Sequence, residues 1–185
     1  MHWLSVRGSV RVKLLYHTDL EALKQILSGK GVPFDPEALM DHVVYMFEIE
    51  DCSRVTTHQL VRHRVASYDQ ESQRFSAATK EGVVTPPSIQ ANEAAYKAFD
   101  EALKTVYSAY EKMTAAGIPK EDARYILPGA IKTKLVMTLS ARSLMHMVWQ
   151  RMALQAQWEI RELALALQSL AREATPELWT KIIER

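Results

Sequence analysis

The sequence carries one cysteine, Cys52, in 185 residues. A single thiol closes no intrachain disulfide and builds no thiolate metal cage, so no metal site is expected. It also suits a reducing compartment. An excess of one charge is missing too: 23 Lys and Arg stand against 22 Asp and Glu, for a formal charge of +1. The molecule as a whole is then no magnet for nucleic acid, and any anion site must be local. No apolar run approaches a membrane span, and Met1 to Arg7 lacks the apolar core of a signal peptide. The expectation is a cytoplasmic protein with neither a membrane nor a nucleic-acid partner. No internal repeat, low-complexity tract or linker interrupts the chain. With 48% hydrophobic and 24% charged residues, residues 1–185 read as one compact domain.

Periodicity gives the elements. Val10, Val12, Leu14 and Tyr16 alternate with Arg11, Lys13 and Leu15, which predicts a strand over 9–16. Asp19 can cap a short helix that ends at Gly29, Gly31 and Pro33. Val43, Tyr45, Phe47 and Ile49 predict a second strand over 42–50. Ser53 is placed to cap a helix to about His63. The polar stretch 64–80 reads as loop or edge strand. Pro86 and Pro87 open a long helix over 88–116, ended by Gly117. Pro119 opens another, closed by Pro128 and Gly129. Ile131, Thr133, Leu135, Met137 and Leu139 predict a third strand. Ser140 then caps what reads as the longest helix, to about Arg172, and Pro176 begins a last short one. The class is α/β (α+β), a small central sheet flanked by long helices.

The densest polar segment runs from His58 to Ser76. Arg62, His63 and Arg64 are three consecutive cationic or titratable groups at a helix end, which repel one another unless anions neutralise them. Guanidinium forks match phosphate bidentately. Ser72 and the amides of its loop could cradle a second phosphate. The plainer alternative is a solvated basic helix end, which suits the helix dipole. On the last long helix Arg142 and His146 are four apart and share a face, near an N-terminus whose amides favour anions. Arg142 in a surface ion pair and His146 packed between Met145 and Met147 are the plainer readings there. Arg151 has no acidic residue three or four positions away, so it calls for an anionic or carbonyl partner. Cys52 reads as a small buried residue, Trp158 as core, and Glu159 as the partner of a nearby cation.

Arg62-His63-Arg64, seven residues, then Ser72 matches the RHR-x7-S signature, and the chain resembles the flavin-dependent thymidylate synthases (the ThyX family). The likeness extends through His58-Gln59-Leu60-Val61, Ala66-Ser67-Tyr68 and Ser72-Gln73-Arg74-Phe75. It continues through Ala141-Arg142-Ser143-Leu144, His146, Arg151 and Ala156-Gln157-Trp158-Glu159-Ile160, with Leu127-Pro128 between the blocks. It covers roughly Val43 to Leu170.

The resemblance implies a methyltransferase with the ThyX-like fold. It would convert dUMP to dTMP with methylenetetrahydrofolate as carbon donor and a hydride supplied by NADPH through FAD. A homotetramer with shared active sites is implied as well. Carried across position by position, Arg62, His63, Arg64, Gln70, Ser140, Ala141, Arg142 and His146 resemble flavin-binding positions. Gln59, Arg62, Gln70, Glu71, Ser72, Gln73, Arg74 and Lys134 resemble dUMP-binding ones. Arg151 resembles the catalytic arginine at the uracil edge, where a fixed cation stabilises charge developing on the ring.

The chain departs from the family pattern at several positions. Asp69 and Glu71 bring negative charge close to a phosphate site, Lys134 stands for an arginine, and Ser140 for an asparagine. Upstream only Pro36 to His42 remains of a longer segment. Two alternatives follow: an enzyme of the same fold that hydroxymethylates or otherwise modifies a pyrimidine nucleotide, or a non-catalytic flavin- or nucleotide-binding homologue.

Overall fold

The computed structural model describes residues 2–5, 10–32, 35–74 and 82–179. Five strands lie in it: β1 (Trp3–Ser5), β2 (Arg11–His17), β3 (Val44–Ser53), β4 (Ser67–Gln70) and β5 (Lys132–Ser140). They pair antiparallel in one sheet, in the order β1-β2-β3-β5-β4. The α/β class expected from the sequence is the class observed.

The sheet has one apolar face, and the period of two sets it. Tyr45, Phe47 and Ile49 of β3 pair with Leu139, Met137 and Leu135 of β5, and all six side chains are buried. Each such burial stabilises the fold by about 1.5–3 kcal/mol. Helices α7 (Ala141–Arg151) and α8 (Trp158–Ala174) pack on each other, and α8 covers β1, β2 and β3. Leu144, Met147, Val148, Ile160, Leu163 and Leu167 complete the core. A directed hydrogen-bond chain closes its far side. Trp179 Nε1 donates to Tyr45 Oη over 3.2 Å, Tyr45 Oη meets Thr175 Oγ1, and Thr175 Oγ1 donates to the Ala171 carbonyl over 3.1 Å. These buried polar atoms are therefore satisfied.

The remaining helices are α1 (Leu20–Ser28), α2 (Pro36–Leu39), α3 (Arg54–Leu60), α4 (Pro87–Gln90), α5 (Glu93–Ala115), α6 (Lys120–Ala123) and α9 (Pro176–Trp179), with a 3-10 turn over Arg124–Ile126. Asp19, Ser53 and Ser140 cap α1, α3 and α7 through side-chain oxygens. Two expectations need correction, and one strand was not foreseen. The helix predicted over 88–116 is broken, because the Asn92 side chain accepts from Ala95 N and starts α5 afresh. The helix predicted from Ser140 to Arg172 is two helices, because Gln157 Oε1 accepts from Ile160 N and opens α8. The edge strand β1 carries no periodic signal in so short a segment. Within the stretch read as loop or edge strand, 67–70 is edge strand β4, and 75–80 lies outside the described residues.

A bulge shapes the end of β3. Its register against β5 shifts between Ile49 and Cys52, and Asp51 sits at φ 59°, a conformation that aspartate tolerates better than most residues. Arg11 Nε holds the Asp51 carboxylate at 2.8 Å. The shift brings Cys52 and Ser53 opposite Thr133 and Lys132, and Ser53 then begins α3. Cys52 is fully buried there. Burial, with Glu159 adding to it, pushes its thiol up to about 12, so it is no nucleophile at neutral pH.

Candidate active site

The site is built on α3, whose direction is fixed at its N-terminus. Ser53 Oγ accepts from Thr56 N at 3.1 Å. The buried Glu159 carboxylate accepts from Ser53 N at 2.7 Å and from Ser53 Oγ at 2.6 Å. Thr56 Oγ1 donates to Gln157 Oε1 over 3.4 Å. The N-termini of α3 and α8 are thus tied by two side chains of α8's first turn. The Arg54 and Val55 amides donate to the Ile131 and Gly129 carbonyls, both over 3.0 Å. A Cβ on Gly129 would lie 2.8 Å from Val55 Cγ2, so glycine is what lets this turn approach the helix. Glu159 was expected to pair with a cation; its partners are an amide and a hydroxyl instead. Trp158, expected in the core, is half-buried, and Trp179 is the buried indole.

At the other end of α3 the chain turns sharply. His63 N donates to the Leu60 carbonyl over 3.1 Å. Tyr68 Oη, reaching back from β4, faces the Leu60 carbonyl at 2.8 Å and the His63 carbonyl at 3.1 Å. This splits the triplet. Arg62 and Arg64 are exposed, whereas His63 is turned inward and retains 7% of its surface. Arg62 Nε donates to the His58 carbonyl at 3.3 Å.

The inward histidine meets Arg151, the last residue of α7. Arg151 Nε donates to His63 Nε2 over 2.8 Å, and Arg151 Nη2 donates to the Gln59 carbonyl over 3.0 Å. The carbonyl partner that the sequence called for is therefore supplied by α3. Desolvation lowers the Arg151 pKa. Burial pushes His63 down to about 4, with repulsion from Arg151 and then His146 adding to it. Burial pushes the Tyr68 phenol up to about 12, so at neutral pH this corner holds a cation, a neutral imidazole and a neutral phenol.

Strand β4 places the following loop. Tyr68 and Gln70 pair with Met137 and Leu135 on the apolar side, so Ser67 and Asp69 face the other way. Asp69, the acidic departure from the family pattern, thus points away from the side that holds Tyr68 and Gln70. Gln70 Nε2 donates to Thr57 Oγ1 at 3.1 Å and Thr133 Oγ1 at 3.3 Å. Gln59 Nε2 turns back to the Val55 carbonyl at 3.3 Å. Glu71 N donates to the Lys134 carbonyl over 3.0 Å, and both residues line a polar groove of about 220 Å³ with Arg11, Glu50, Asp51, Lys132 and Thr133. Ser72 Oγ accepts from Arg74 N at 3.3 Å, and Arg74 Nε pairs with Glu121 at 3.0 Å. Gln73 lies half-buried in the same turn.

The flavin-like positions Ser140, Ala141 and Arg142 lie at the start of α7. The Ala141 amide donates to the Val43 carbonyl at 2.8 Å, the Arg142 amide to the Met40 carbonyl at 3.1 Å, and the Ser143 amide to Ser140 Oγ at 3.2 Å. The first-turn amides expected to favour an anion are thus satisfied within the chain. Arg142 Nε contacts both Asp41 oxygens at 2.8 and 2.9 Å, and its Nη2 donates to the Glu37 carbonyl at 2.6 Å. His146 is exposed rather than packed between methionines. It contacts Gln150 Nε2 at 2.8 Å and stacks on Trp149 with centroids 6.3 Å apart. Nine helical residues separate Arg142 from Arg151, about 13 Å along α7 and half a turn around it. The two arginines therefore serve different faces.

The charge balance distinguishes these positions. Arg74 and Arg142 have carboxylate partners. Arg62, Arg64, Lys134 and Arg151 pair with no carboxylate among the described residues. Such cations suit a ligand carrying phosphate or an anionic ring. No group of three or more His, Cys, Asp or Glu among the described residues could hold a metal ion, and no described helix is long and apolar enough to cross a membrane.

The family model described as thymidylate synthase complementing protein matches residues 18–177. The chain belongs to that family. Among curated relatives, the flavin-dependent thymidylate synthase of Pyrococcus furiosus is 44% identical over 132 residues, 69% of this chain and 54% of that protein. The one from Geobacter sulfurreducens is 39% identical over 145 residues, 77% of this chain and 62% of that protein. The one from Sulfurisphaera tokodaii is 43% identical over 146 residues, 77% and 55% of the two chains. The aligned part of the chain thus spans little more than half the length of these relatives. For a member of this family, several supporting residues escaped the sequence reading: Tyr68 as the clasp on the α3 carbonyls, Thr57 and Thr133 as the seat of Gln70, and Asp41 as the partner of Arg142. Only Asp41 had a local signal, a carboxylate just before the second strand.

Proposed function

We propose that this chain is a flavin-dependent thymidylate synthase that methylates dUMP to dTMP, with methylenetetrahydrofolate as carbon donor and NADPH as reductant. The observation that carries this reading is Arg151. It is a half-buried cation with no carboxylate partner among the described residues, fixed at the meeting of two helix ends, with guanidinium donors that no described residue takes up. A pre-oriented cation of this kind stabilises negative charge developing on a pyrimidine ring as carbon-5 becomes nucleophilic. The Ser72–Arg74 turn, with Gln59 and Gln70 before it, supplies the phosphate end of the nucleotide, while Lys134, between Thr133 and Leu135 on β5, faces away from Gln70. The cysteine nucleophile of other pyrimidine methylation chemistry has no counterpart here, since Cys52 is buried as a neutral thiol.

The residues suit FAD through their donor set: Arg62 and Arg64 are exposed guanidinium groups with no carboxylate partner among the described residues, as a pyrophosphate requires. They, with Ser140, Ala141, Arg142 and His146, would hold it, and bound FAD supplies hydride chemistry. Arg142 and Arg151 lie half a turn apart on α7, which supports a homotetramer whose sites take one face from each of two subunits.

Purified protein reconstituted with FAD has the absorbance of an oxidised flavin, and forms dTMP from dUMP, methylenetetrahydrofolate and NADPH. A colourless protein that takes up no FAD would overturn the reading. Mass spectrometry of the nucleotide separates methyl from hydroxymethyl product, and light scattering measures the assembly.

A further inference from the structure

The described part of α3 and α7 presents Arg151 already gripped on one edge. The guanidinium has five N–H donors. The Nε–H and one Nη2–H form one edge, and these are the two held by His63 Nε2 and the Gln59 carbonyl. The opposite fork, on Nη1 and the other Nη2–H, meets no partner among the described residues. We propose that His63 is a positioning residue for Arg151: its Nε2 lone pair fixes the guanidinium edge-on, so that the open fork is aimed at the pyrimidine. The proposal rests on the reading of Arg151 given above and gives His63 a task in addition to the flavin contact that its place in the triplet implies.

The geometry dictates the tautomer. Arginine keeps its protons, so a nitrogen 2.8 Å from Arg151 Nε must be a bare acceptor. The His63 proton therefore sits on Nδ1. The surroundings hold that state. Arg151 and His146 face the ring from α7, Arg62 stands close to Arg151 in the turn after α3, and Tyr68 from β4 is a neutral phenol. Among the described residues an imidazolium here would meet only cations and neutral groups. The 7% exposure of His63 leaves its ring little surface for a ligand, whereas the flanking arginines are open.

The test uses the full-length FAD-loaded protein, labelled with ¹⁵N at histidine. The expected result is a neutral His63 with Nδ1 protonated and Nε2 bare at pH 7. An Nε2–H tautomer or an imidazolium at that pH would overturn the proposal whether or not the protein turns over dUMP. Kinetics give the second readout. His63→Gln keeps an acceptor oxygen for Arg151, and its KM for dUMP stays within about threefold of the wild type. His63→Leu removes the acceptor and raises that KM about tenfold or more at saturating FAD. Equal losses in the two variants would make His63 a packing residue and overturn the proposal. A wild-type protein that binds FAD but never dUMP would sink the functional reading alone, because the tautomer still decides the contact.

Discussion

Arg151 Nε points at His63 Nε2 over 2.8 Å, and the same guanidinium reaches the Gln59 carbonyl over 3.0 Å. Two helices thus bring their C-terminal ends to one cation, where both dipoles favour it. Lysine in its place keeps the charge but lacks the planar fork that can be held on one edge and used on the other. On the proposed function, Arg151→Lys is expected to lower kcat/KM for dUMP on the order of 100-fold, with the flavin-to-protein absorbance ratio unchanged. Steady-state kinetics that retain half the activity would remove Arg151 from the reaction.

The same contact makes stability depend on pH in a defined window. Folded His63 stays neutral down to about pH 4, whereas in the unfolded chain it takes up a proton near pH 6.5. Between these values the unfolded state binds more protons. Stability is therefore full above the window and falls as pH drops through it. The loss from this one group is about 1–3 kcal/mol. Urea unfolding of wild type and His63→Gln at pH 7, 5.5 and 4.5 checks it, and the variant's curve should be flatter. Parallel curves would contradict the assignment.

Much of this architecture is legible locally. Tyr45, Phe47 and Ile49 alternate because one face of β3 is apolar, and Ser53 and Ser140 stand before helices because a hydroxyl can take an orphan amide. The break between α7 and α8 is not legible, since residues 152–157 are mostly good helix formers. It comes from Gln157 capping α8 and from Glu159 reaching Ser53, 106 positions away. The site divides in the same way. Arg62, His63 and Arg64 draw attention as clustered charge, and Arg151 as a cation without a helical partner. That His63 turns inward to meet Arg151 depends on a contact between residues 88 apart, which no local pattern encodes.

Glu159 holds the far end of α3, so its loss should be felt as stability first. Glu159→Ala leaves the buried Ser53 amide and hydroxyl without their acceptor, at a cost of about 2–4 kcal/mol. Glu159→Gln keeps one acceptor oxygen for the Ser53 amide, and its amide group can donate to Ser53 Oγ, so the cost is about 1 kcal/mol. Urea titrations measure both. An alanine variant within 0.5 kcal/mol of wild type, a margin typical of surface changes, would show that the tie between α3 and α8 is incidental.

Gly129 offers a prediction whose sign reverses with its neighbour. A Cβ there would sit 2.8 Å from Val55 Cγ2, and valine on a helix has one strongly preferred rotamer and cannot swing aside cheaply. The backbone cannot retreat without stretching the 3.0 Å bond from the Val55 amide to the Gly129 carbonyl. Gly129→Ala should then destabilise by about 1–2 kcal/mol. Gly129 has no positive φ, so alanine is not strained there and reduces the freedom of the unfolded chain, which favours folding by about 0.4–1 kcal/mol. In a Val55→Ala background the clash is gone and only that gain remains. The second substitution should therefore turn from destabilising to neutral or stabilising. Urea midpoints for the four proteins of the cycle measure the coupling, and additive effects would mean that the turn before β5 does not lean on α3.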